Sequence, residues 1–361
     1  MFDSRNTRCL SGAALAQALR ESRARTWALV DDLTDVQWQV PELPGVNPIA
    51  WELGHLAWFA EFWVLRGPHG RDGDGFAVAQ QPARHAGPDA RFDSSRVAHA
   101  ARWRMAMPTR AELVDMLGAQ LEACIDALPA GADDDALYFH RLALFHEDMH
   151  AEAFTWLRAA LGLPAPRLFV APHPHLPRAS RLASPERCAG APHAARRPRV
   201  APNPLLQEEG EVPGTLPLPE EEEETSATLR LSDRAALASM PQAGALRVSG
   251  GTVQIGSLPT RAGFAFDNER PGRTLTLADF EIDAAPLTAG AFLRFVEAGG
   301  YDAPAYWPGA AGVWRAASSR RHPQRWRRAP HDGWQTCWFG HWLPLAPDAP
   351  LIHVNAFEAE A

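Results

Sequence analysis

The sequence predicts an α+β protein of two domains, a helical bundle followed by a smaller mixed domain. Apolar residues recur at helical spacing through the first 163 residues, and proline and glutamate dominate the stretch that follows. After residue 244, short alternating apolar segments separated by glycine indicate strands. We therefore expect domains at 1–163 and 245–361, joined by a disordered Pro/Glu-rich linker at 164–244.

Four helices are predicted in the first domain, at 12–34, 47–66, 109–128 and 134–161. Pro48 stands at a first-turn position, where proline is favoured. Thr109 and Glu112 have the spacing of a capping box, and Gly162 is typical of a helix end. The long connection 67–108 is partly irregular, which in a compact domain indicates a functional loop.

The second domain is predicted to alternate short strands and helices. A strand, a glycine turn and a second strand are expected over 246–256, one strand over 274–282 and a helix over 288–297. A further strand at 351–354 precedes the start of a last helix. Six of the 13 tryptophans lie between Trp307 and Trp342, so large aromatic side chains are expected to pack the loops.

The net charge of −8 is concentrated in one segment. The chain has 35 basic residues, all arginine, against 43 acidic ones, and eight glutamates lie between Glu208 and Glu224. The rest is neutral, which disfavours non-specific binding of nucleic acid. No apolar run is long enough to span a membrane, and the N-terminus lacks the apolar stretch of a signal peptide. We expect a cytoplasmic protein.

His146 and His150 are the first indication of chemistry. Four residues apart on the fourth helix, they lie about 40° apart around its axis, so two imidazoles can bind one metal ion. Two structural histidines would show the same spacing. The residues also match the H-E-x-x-H pattern of zinc proteases, with Glu147 as general base, but no extension supplies a third ligand.

A third histidine strengthens the metal interpretation. His55 lies on an aromatic face of the second helix, where a buried imidazole needs a partner. Packed against His146 and His150, it would complete a three-histidine site with open coordination positions, which is typical of a catalytic metal. The neighbouring acids are candidates for orienting the imidazoles: Glu52, Glu147 and Asp148.

These residues resemble a known family. A DinB-like four-helix bundle with one histidine on its second helix and H-x-x-x-H on its fourth is similar to the EgtB-like sulfoxide synthases of ergothioneine biosynthesis. The second domain resembles their formylglycine-generating-enzyme-like domain, a sulfatase-modifying factor domain of C-type-lectin-like fold. The matching segments are Val248–Ser257, Phe264–Pro271, Pro286–Val296 and Ala349–Val354.

The resemblance implies a non-haem iron(II) oxidoreductase with His55, His146 and His150 as ligands. O₂ would drive bond formation between a chalcogen and C2 of the imidazole of hercynine, so the expected partners are small molecules. Neutral imidazoles suit iron(II), and open positions admit O₂ and substrates. Trp58 and Phe59 are candidates for a cation–π cage around the trimethylammonium group, although core packing explains them equally well.

Met149 is the first departure from the family pattern, because it replaces a glutamine that contacts the substrate. It lies about 60° from His146 around the helix, still towards the site. The segments Asn47–His55 and Arg141–His150 are most similar to the selenoneine synthase (SenA-like) branch, in which a selenosugar replaces the thiol. Arg96 and Arg102 fall where family members carry arginines for the anionic co-substrate; a solvated loop is the alternative interpretation.

The second departure is at the C-terminus. The family domain continues beyond residue 361 with a stretch that supplies its catalytic tyrosine, so that tyrosine is not expected in this chain. We expect an incomplete second domain with exposed apolar surface. Two alternatives follow, a DinB-type hydrolase or thiol transferase with zinc or nickel at the same histidines, and a catalytically inactive truncated homologue.

Overall fold

The computed structural model describes residues 7–84, 87–131, 133–166, 244–258, 262–331 and 333–361. Its packing divides the chain into two compact units. Ile255–Arg273 packs with the N-terminal part of the chain, and Thr274–Ala361 forms the second unit with the residues just before Ile255. The predicted linker, 164–244, lies outside the described residues except at its two ends.

The first unit is helical, as predicted. Its helices are α1 (Gly12–Ala28), α2 (Ile49–Ala60), the short turn α3 (Asp89–Phe92), α4 (Arg110–Asp126) and α5 (Tyr138–Ala160). The chain continues from α2 as a π-helical turn, Glu61–Leu65, so helical structure reaches the predicted end in a different geometry. The connection after it contains a small hairpin, β1 (His69–Arg71) with β2 (Ala77–Ala79).

Two predicted helix bounds are wrong. The first helix ends at Ala28 instead of residue 34, because Leu29, Val30 and Leu33 turn away and are buried in the core. The fourth helix begins at Tyr138 instead of 134. The capping box predicted for α4 is confirmed, since Thr109 Oγ1 accepts from the Glu112 amide.

The core of the first unit positions the site. One apolar cluster lies between α2, α4 and α5, and its fully buried members include Leu53, Leu113, Leu117 and Phe154. A second cluster is aromatic and covers the other side of α2. Because α2 is buried on both sides, its polar side chains must find partners within the protein.

The second unit contains small antiparallel sheets. Its strands are β3 (Ala245–Val248), β4 (Gly251–Ile255), β5 (Arg273–Leu277), β6 (Phe280–Asp283), β7 (Trp326–Ala329), β8 (Gly333–Trp338) and β9 (His341–Pro344). The strand pair expected over 246–256 does not form a hairpin, since β3 pairs with β6 and β4 with β5. The predicted single strand 274–282 is two strands, broken where Asp279 accepts from the Gly250 amide. A Cβ on Gly250 would lie 2.5 Å from the Leu277 carbonyl oxygen.

The helices of the second unit are α6 (Ala289–Glu297), α7 (Gly309–Ser318) and α8 (Ala356–Glu360). α6 follows the prediction, with Thr288 as its N-cap. The strand predicted at 351–354 is wrong, because the segment follows an isolated bridge between Thr288 and Pro350 and donates one backbone hydrogen bond, from Leu351 to the Leu287 carbonyl. Trp307, Trp326 and Tyr301 are buried in the core, whereas Trp338 and Trp342 are exposed, so the expected aromatic packing is confirmed in part.

Apolar side chains are exposed on the outer strands, as expected. Leu246 and Ile282, which face each other across β3 and β6, are both more than half exposed. Among the described helices, none combines the length and apolar character that a membrane crossing requires.

Candidate metal centre

Three histidines from two helices meet at one point in the first unit. His55 comes from the middle of α2, and His146 and His150 lie one turn apart on α5. His146 Nε2 is 3.2 Å from His55 Nε2 and 3.1 Å from His150 Nε2. Only 2%, 9% and 6% of His55, His146 and His150 are exposed. The cluster is therefore an internal one, with the three ring nitrogens directed at one another.

The outer nitrogens of two rings are held by acceptors. His55 Nδ1 lies 2.7 Å from the Phe92 carbonyl oxygen, and His150 Nδ1 lies 2.8 Å from Glu52 Oε1. Both acceptors require a proton on Nδ1, so the Nε2 atoms of His55 and His150 carry lone pairs that face inward. A carboxylate or carbonyl behind a histidine is the usual arrangement for metal-binding imidazoles.

The inward nitrogens fit a shared metal ion better than they fit one another. His146 Nε2 can carry one proton, which can be donated to only one of the two facing lone pairs. Without a cation, at least one of the short nitrogen–nitrogen contacts would have no proton between its two nitrogens. Two nitrogens that each lie about 2.0–2.1 Å from one ion can be at most about 4.2 Å apart. The spacing of 3.1–3.2 Å satisfies that limit.

Burial favours the neutral form of His55 and His146. Burial lowers the pKa of His55 and of His146 well below the ordinary histidine value, and the neighbouring His150 lowers both further. Neutral imidazole is the form that binds a metal ion.

Aromatic rings enclose the cluster. Trp51 stacks on His55 with ring centroids 5.1 Å apart and planes 7° apart, and Phe59 stacks on His146 at 3.6 Å and 8°. Trp58 lies over His55 at 5.6 Å and donates its indole N–H to Asp89. These rings restrict the imidazoles and exclude water from the sides that they cover.

Comparison with known proteins assigns both parts of the chain. A DinB superfamily model matches residues 18–160, and a model of the sulfatase-modifying factor enzyme 1-like domain matches residues 232–361. The chain joins a DinB-type domain to a sulfatase-modifying-factor-type domain. All three histidines lie in the DinB-type match.

Hercynine oxygenases are among the similar proteins. Those of Mycolicibacterium smegmatis and Mycobacterium tuberculosis are 25% and 26% identical over 347 residues, which cover 96% of this chain and 64% of each relative. The enzyme of Mycolicibacterium thermoresistibile is 25% identical over 349 residues, 97% of this chain and 62% of the relative. The chain thus spans less than two thirds of the length of the curated relatives it matches. Together with the two domain matches, these similarities support a hercynine-oxygenase-like family.

Two acids that were expected to orient the imidazoles of the DinB-type domain do not contact them. Glu147 accepts two hydrogen bonds from Arg23 of α1, at 2.6 and 3.1 Å, and one from Thr26. Asp148 accepts from Ser22 and Arg25 of the same helix. Adjacent helical residues point about 100° apart, so the residues after His146 face α1. Engaged by Arg23, Glu147 has no geometry for the general base of a zinc protease.

Of the remaining predicted residues, Trp58 and Phe59 contact the histidines, and Met149, Arg96 and Arg102 have other surroundings. Met149 is 38% exposed on α5. Arg96 pairs with Asp72, and Arg102 donates to Asn47 at 2.7 Å while its guanidinium lies 3.9 Å from the Trp51 ring centroid. Trp58 and Phe59 are buried against the histidines. Contact of these five side chains with a substrate stays a prediction.

Sequence reasoning missed three contributors to the site. Phe92 supplies the carbonyl for His55, Asp89 holds Trp58, and Phe264 lies in the aromatic cluster beside α2. The first two fall in the irregular connection 67–108, which was expected to be functional but showed no periodicity that singles out a residue. Phe264 was noticed only as part of the second domain.

Proposed function

We propose that the chain binds iron(II) through His55, His146 and His150 and acts in an O₂-dependent bond formation at C2 of the hercynine imidazole. The observation that carries the proposal is the convergence of three Nε2 atoms in a buried site whose outer nitrogens are already held. The hercynine oxygenases among its relatives support the substrate.

The chain's own residues prepare the site for that chemistry. Glu52 and the Phe92 carbonyl each hold a proton on Nδ1, which leaves both Nε2 atoms free for a metal ion. Three neutral ligands leave coordination positions open, and the bound ion would supply the redox chemistry that activates O₂. Trp51 and Phe59 keep water from the ring faces that they cover.

Selenium is the proposed chalcogen, because the segments around His55 and His150 resemble the selenoneine synthase branch. The co-substrate would then be a selenosugar. A thiol is the alternative. With either element, the chalcogen-bound hydrogen and the C2–H hydrogen leave with one oxygen atom of O₂ as water, and the other oxygen atom stays on the chalcogen. The histidines themselves favour neither element.

Residues near the histidines complete the proposed substrate site. Met149 would lie beside the hercynine imidazole, and Trp58 and Phe59 would contact the trimethylammonium group by cation–π interaction. Arg96 and Arg102 would attract an anionic co-substrate, since Arg102 already lies over the ring that stacks on His55.

Anaerobic reconstitution tests the function. The protein is loaded with iron(II), mixed with hercynine and either a selenosugar or a thiol, and exposed to O₂; products are identified by mass spectrometry. We expect about one iron per chain, O₂ consumption and a chalcogen–carbon product, all lost in His146→Ala. Retention of zinc or nickel with hydrolase or thiol-transferase activity and no O₂ consumption would overturn the proposal, and so would metal binding without any product.

A further inference from the structure

Three side chains on one face of α2 donate hydrogen bonds to the short helical turn α3. The donors are Trp51, His55 and Trp58, and the acceptors are the Arg91 carbonyl, the Phe92 carbonyl and the Asp89 carboxylate, each at 2.7 Å. The donors recur at positions that share a helix face. The face of α2 that carries His55 is therefore hydrogen-bonded to α3 between Trp51 and Trp58.

Asp89 anchors α3 from the other side. Its two carboxylate oxygens accept from Arg66 at 2.6 and 2.8 Å, in a bidentate pair. Arg66 is buried and also donates to the Gln81 carbonyl at 3.1 Å. One carboxylate thus joins the end of the π-helical turn, the α3 turn and the indole that covers His55.

Gly54 allows α3 to approach this closely. A Cβ at residue 54 would lie 2.3 Å from Phe92 Cε1, so only glycine leaves room for the Phe92 ring. Glycine inside a helix is destabilising relative to alanine, which makes it an unfavourable choice without such a contact. Phe92 thus contacts α2 twice at the same place. Its ring packs on Gly54, and its carbonyl accepts from the next residue, His55.

We propose that α3 is the positioning element of the metal centre and that Asp89 is its anchoring residue. Asp89 acts through Trp58 and the Phe92 carbonyl, which together set the tautomer and ring plane of His55. The inference rests on the proposed function only in taking His55 as a metal ligand. It adds Asp89, Gly54 and Phe92 to the residues on which metal binding depends.

Asp89→Ala is compared with Asp32→Ala as a matched control. Asp32 also forms a bidentate pair with a buried arginine, Arg158, at 2.6 and 3.1 Å, and that pair joins the segment after α1 to the end of α5. We expect Asp89→Ala to raise the iron(II) dissociation constant about 10–100-fold in anaerobic titrations, the usual effect of losing an outer partner. Asp32→Ala should lower the melting temperature and leave the dissociation constant unchanged.

A measurement on the metal-free protein separates this inference from the proposed function. The His55 Nδ1–H proton should give a slowly exchanging ¹⁵N-correlated signal, assigned by its absence in His55→Gln, that is lost in Asp89→Ala and kept in Asp32→Ala. Should the wild type bind no iron, the proposed function fails while this signal still decides the inference. Equal signals and equal affinities in the two variants would overturn it.

A second variant pair tests the close approach of α3. Gly54→Ala should displace Phe92 and weaken iron(II) binding, and Gly54→Ala with Phe92→Ala should restore part of the affinity because the clash is removed. Weakening in Gly54→Ala that the second substitution does not relieve would contradict the role of Phe92.

Discussion

Glu52 and Glu147 are buried carboxylates on the two helices that carry the histidines. One contacts a histidine of the metal centre, and the other contacts an arginine of a neighbouring helix. Glu52 accepts from the outer nitrogen of His150, inside the metal centre. Glu147 lies beside His146 in the sequence but pairs with Arg23 of α1, which also donates to Gln120. The two side chains point in different directions around their helices. Glu52 therefore supports a metal ligand, whereas Glu147 holds α5 to α1.

Glu52→Ala should weaken metal binding. Without the carboxylate, His150 Nδ1–H loses its buried acceptor, and the ring loses the partner that fixes its tautomer. The expected rise in the iron(II) dissociation constant is about 10–100-fold, measured by anaerobic titration. Glu122→Ala is the control, because Glu122 forms an exposed pair with Arg20. An unchanged dissociation constant in Glu52→Ala would contradict the assignment.

Glu147→Ala should destabilise the protein and leave metal binding unchanged. It leaves the buried Arg23 guanidinium without its ion-pair partner, a change that typically costs about 3–5 kcal/mol in the free energy of unfolding. Urea unfolding measures that loss, and titration at a temperature where the variant is folded should give the wild-type iron stoichiometry. Loss of iron from the folded variant would instead place Glu147 in the metal centre.

At the scale of elements, the 263–269 segment belongs to the first unit although it follows the linker. The Gly263 amide donates to Asp134 at 2.7 Å, the Phe264 amide donates to the Arg8 carbonyl, and Glu269 forms a bidentate pair with Arg8. Phe264 is buried and stacks on Phe145, the residue before His146. This segment therefore completes the aromatic cluster beside the histidines.

Phe264→Ala should destabilise the first unit by about 3–5 kcal/mol, the usual cost of truncating a buried phenylalanine. Trp156→Ala is the matched control, because Trp156 is an aromatic residue of α5 that is 58% exposed, and its loss should change the unfolding free energy by about 0.5 kcal/mol or less. Urea unfolding followed by near-ultraviolet circular dichroism measures both. Equal effects in the two variants would show that the 263–269 segment does not stabilise the first unit.

At the scale of the whole molecule, the metal centre lies within one of two compact units. Its ligands and their partners all come from the first unit, and Tyr301, Trp307 and Trp326 form a separate core in the second. A ligand that binds only the folded state stabilises it by mass action, so metal binding should act on the unfolding of the first unit.

Iron(II) or cobalt(II) should therefore raise the midpoint temperature of one thermal unfolding transition, that of the first unit, and leave the other unchanged. At a free metal concentration about 100 times the dissociation constant, the gain is about 2.7 kcal/mol. Differential scanning calorimetry should show the transition of the first unit moving upward, returning with a chelator, and not responding in His146→Ala. A shift of both transitions, or a shift that persists in His146→Ala, would contradict a centre confined to these histidines.

The sequence by itself determined the α+β class, the helices of the first unit and the three histidines. Helical periodicity and capping are local signals, and a four-residue spacing on one helix sets which side chains share a face. Gly54 was visible in the sequence, but periodicity assigns a glycine no partner. Glu147 and Asp148 were misplaced because adjacency along a helix was taken as proximity to the metal.

Only the tertiary structure decided what surrounds the histidines. The Phe92 carbonyl and Asp89 come from an irregular connection, and Phe264 comes from a segment beyond the linker, so no local pattern relates them to His55. The strand order has the same cause, since β3 pairs with β6 across the intervening β4–β5 pair. Contacts between distant segments depend on packing that satisfies buried polar groups and fills space, and a linear pattern does not encode which segments meet.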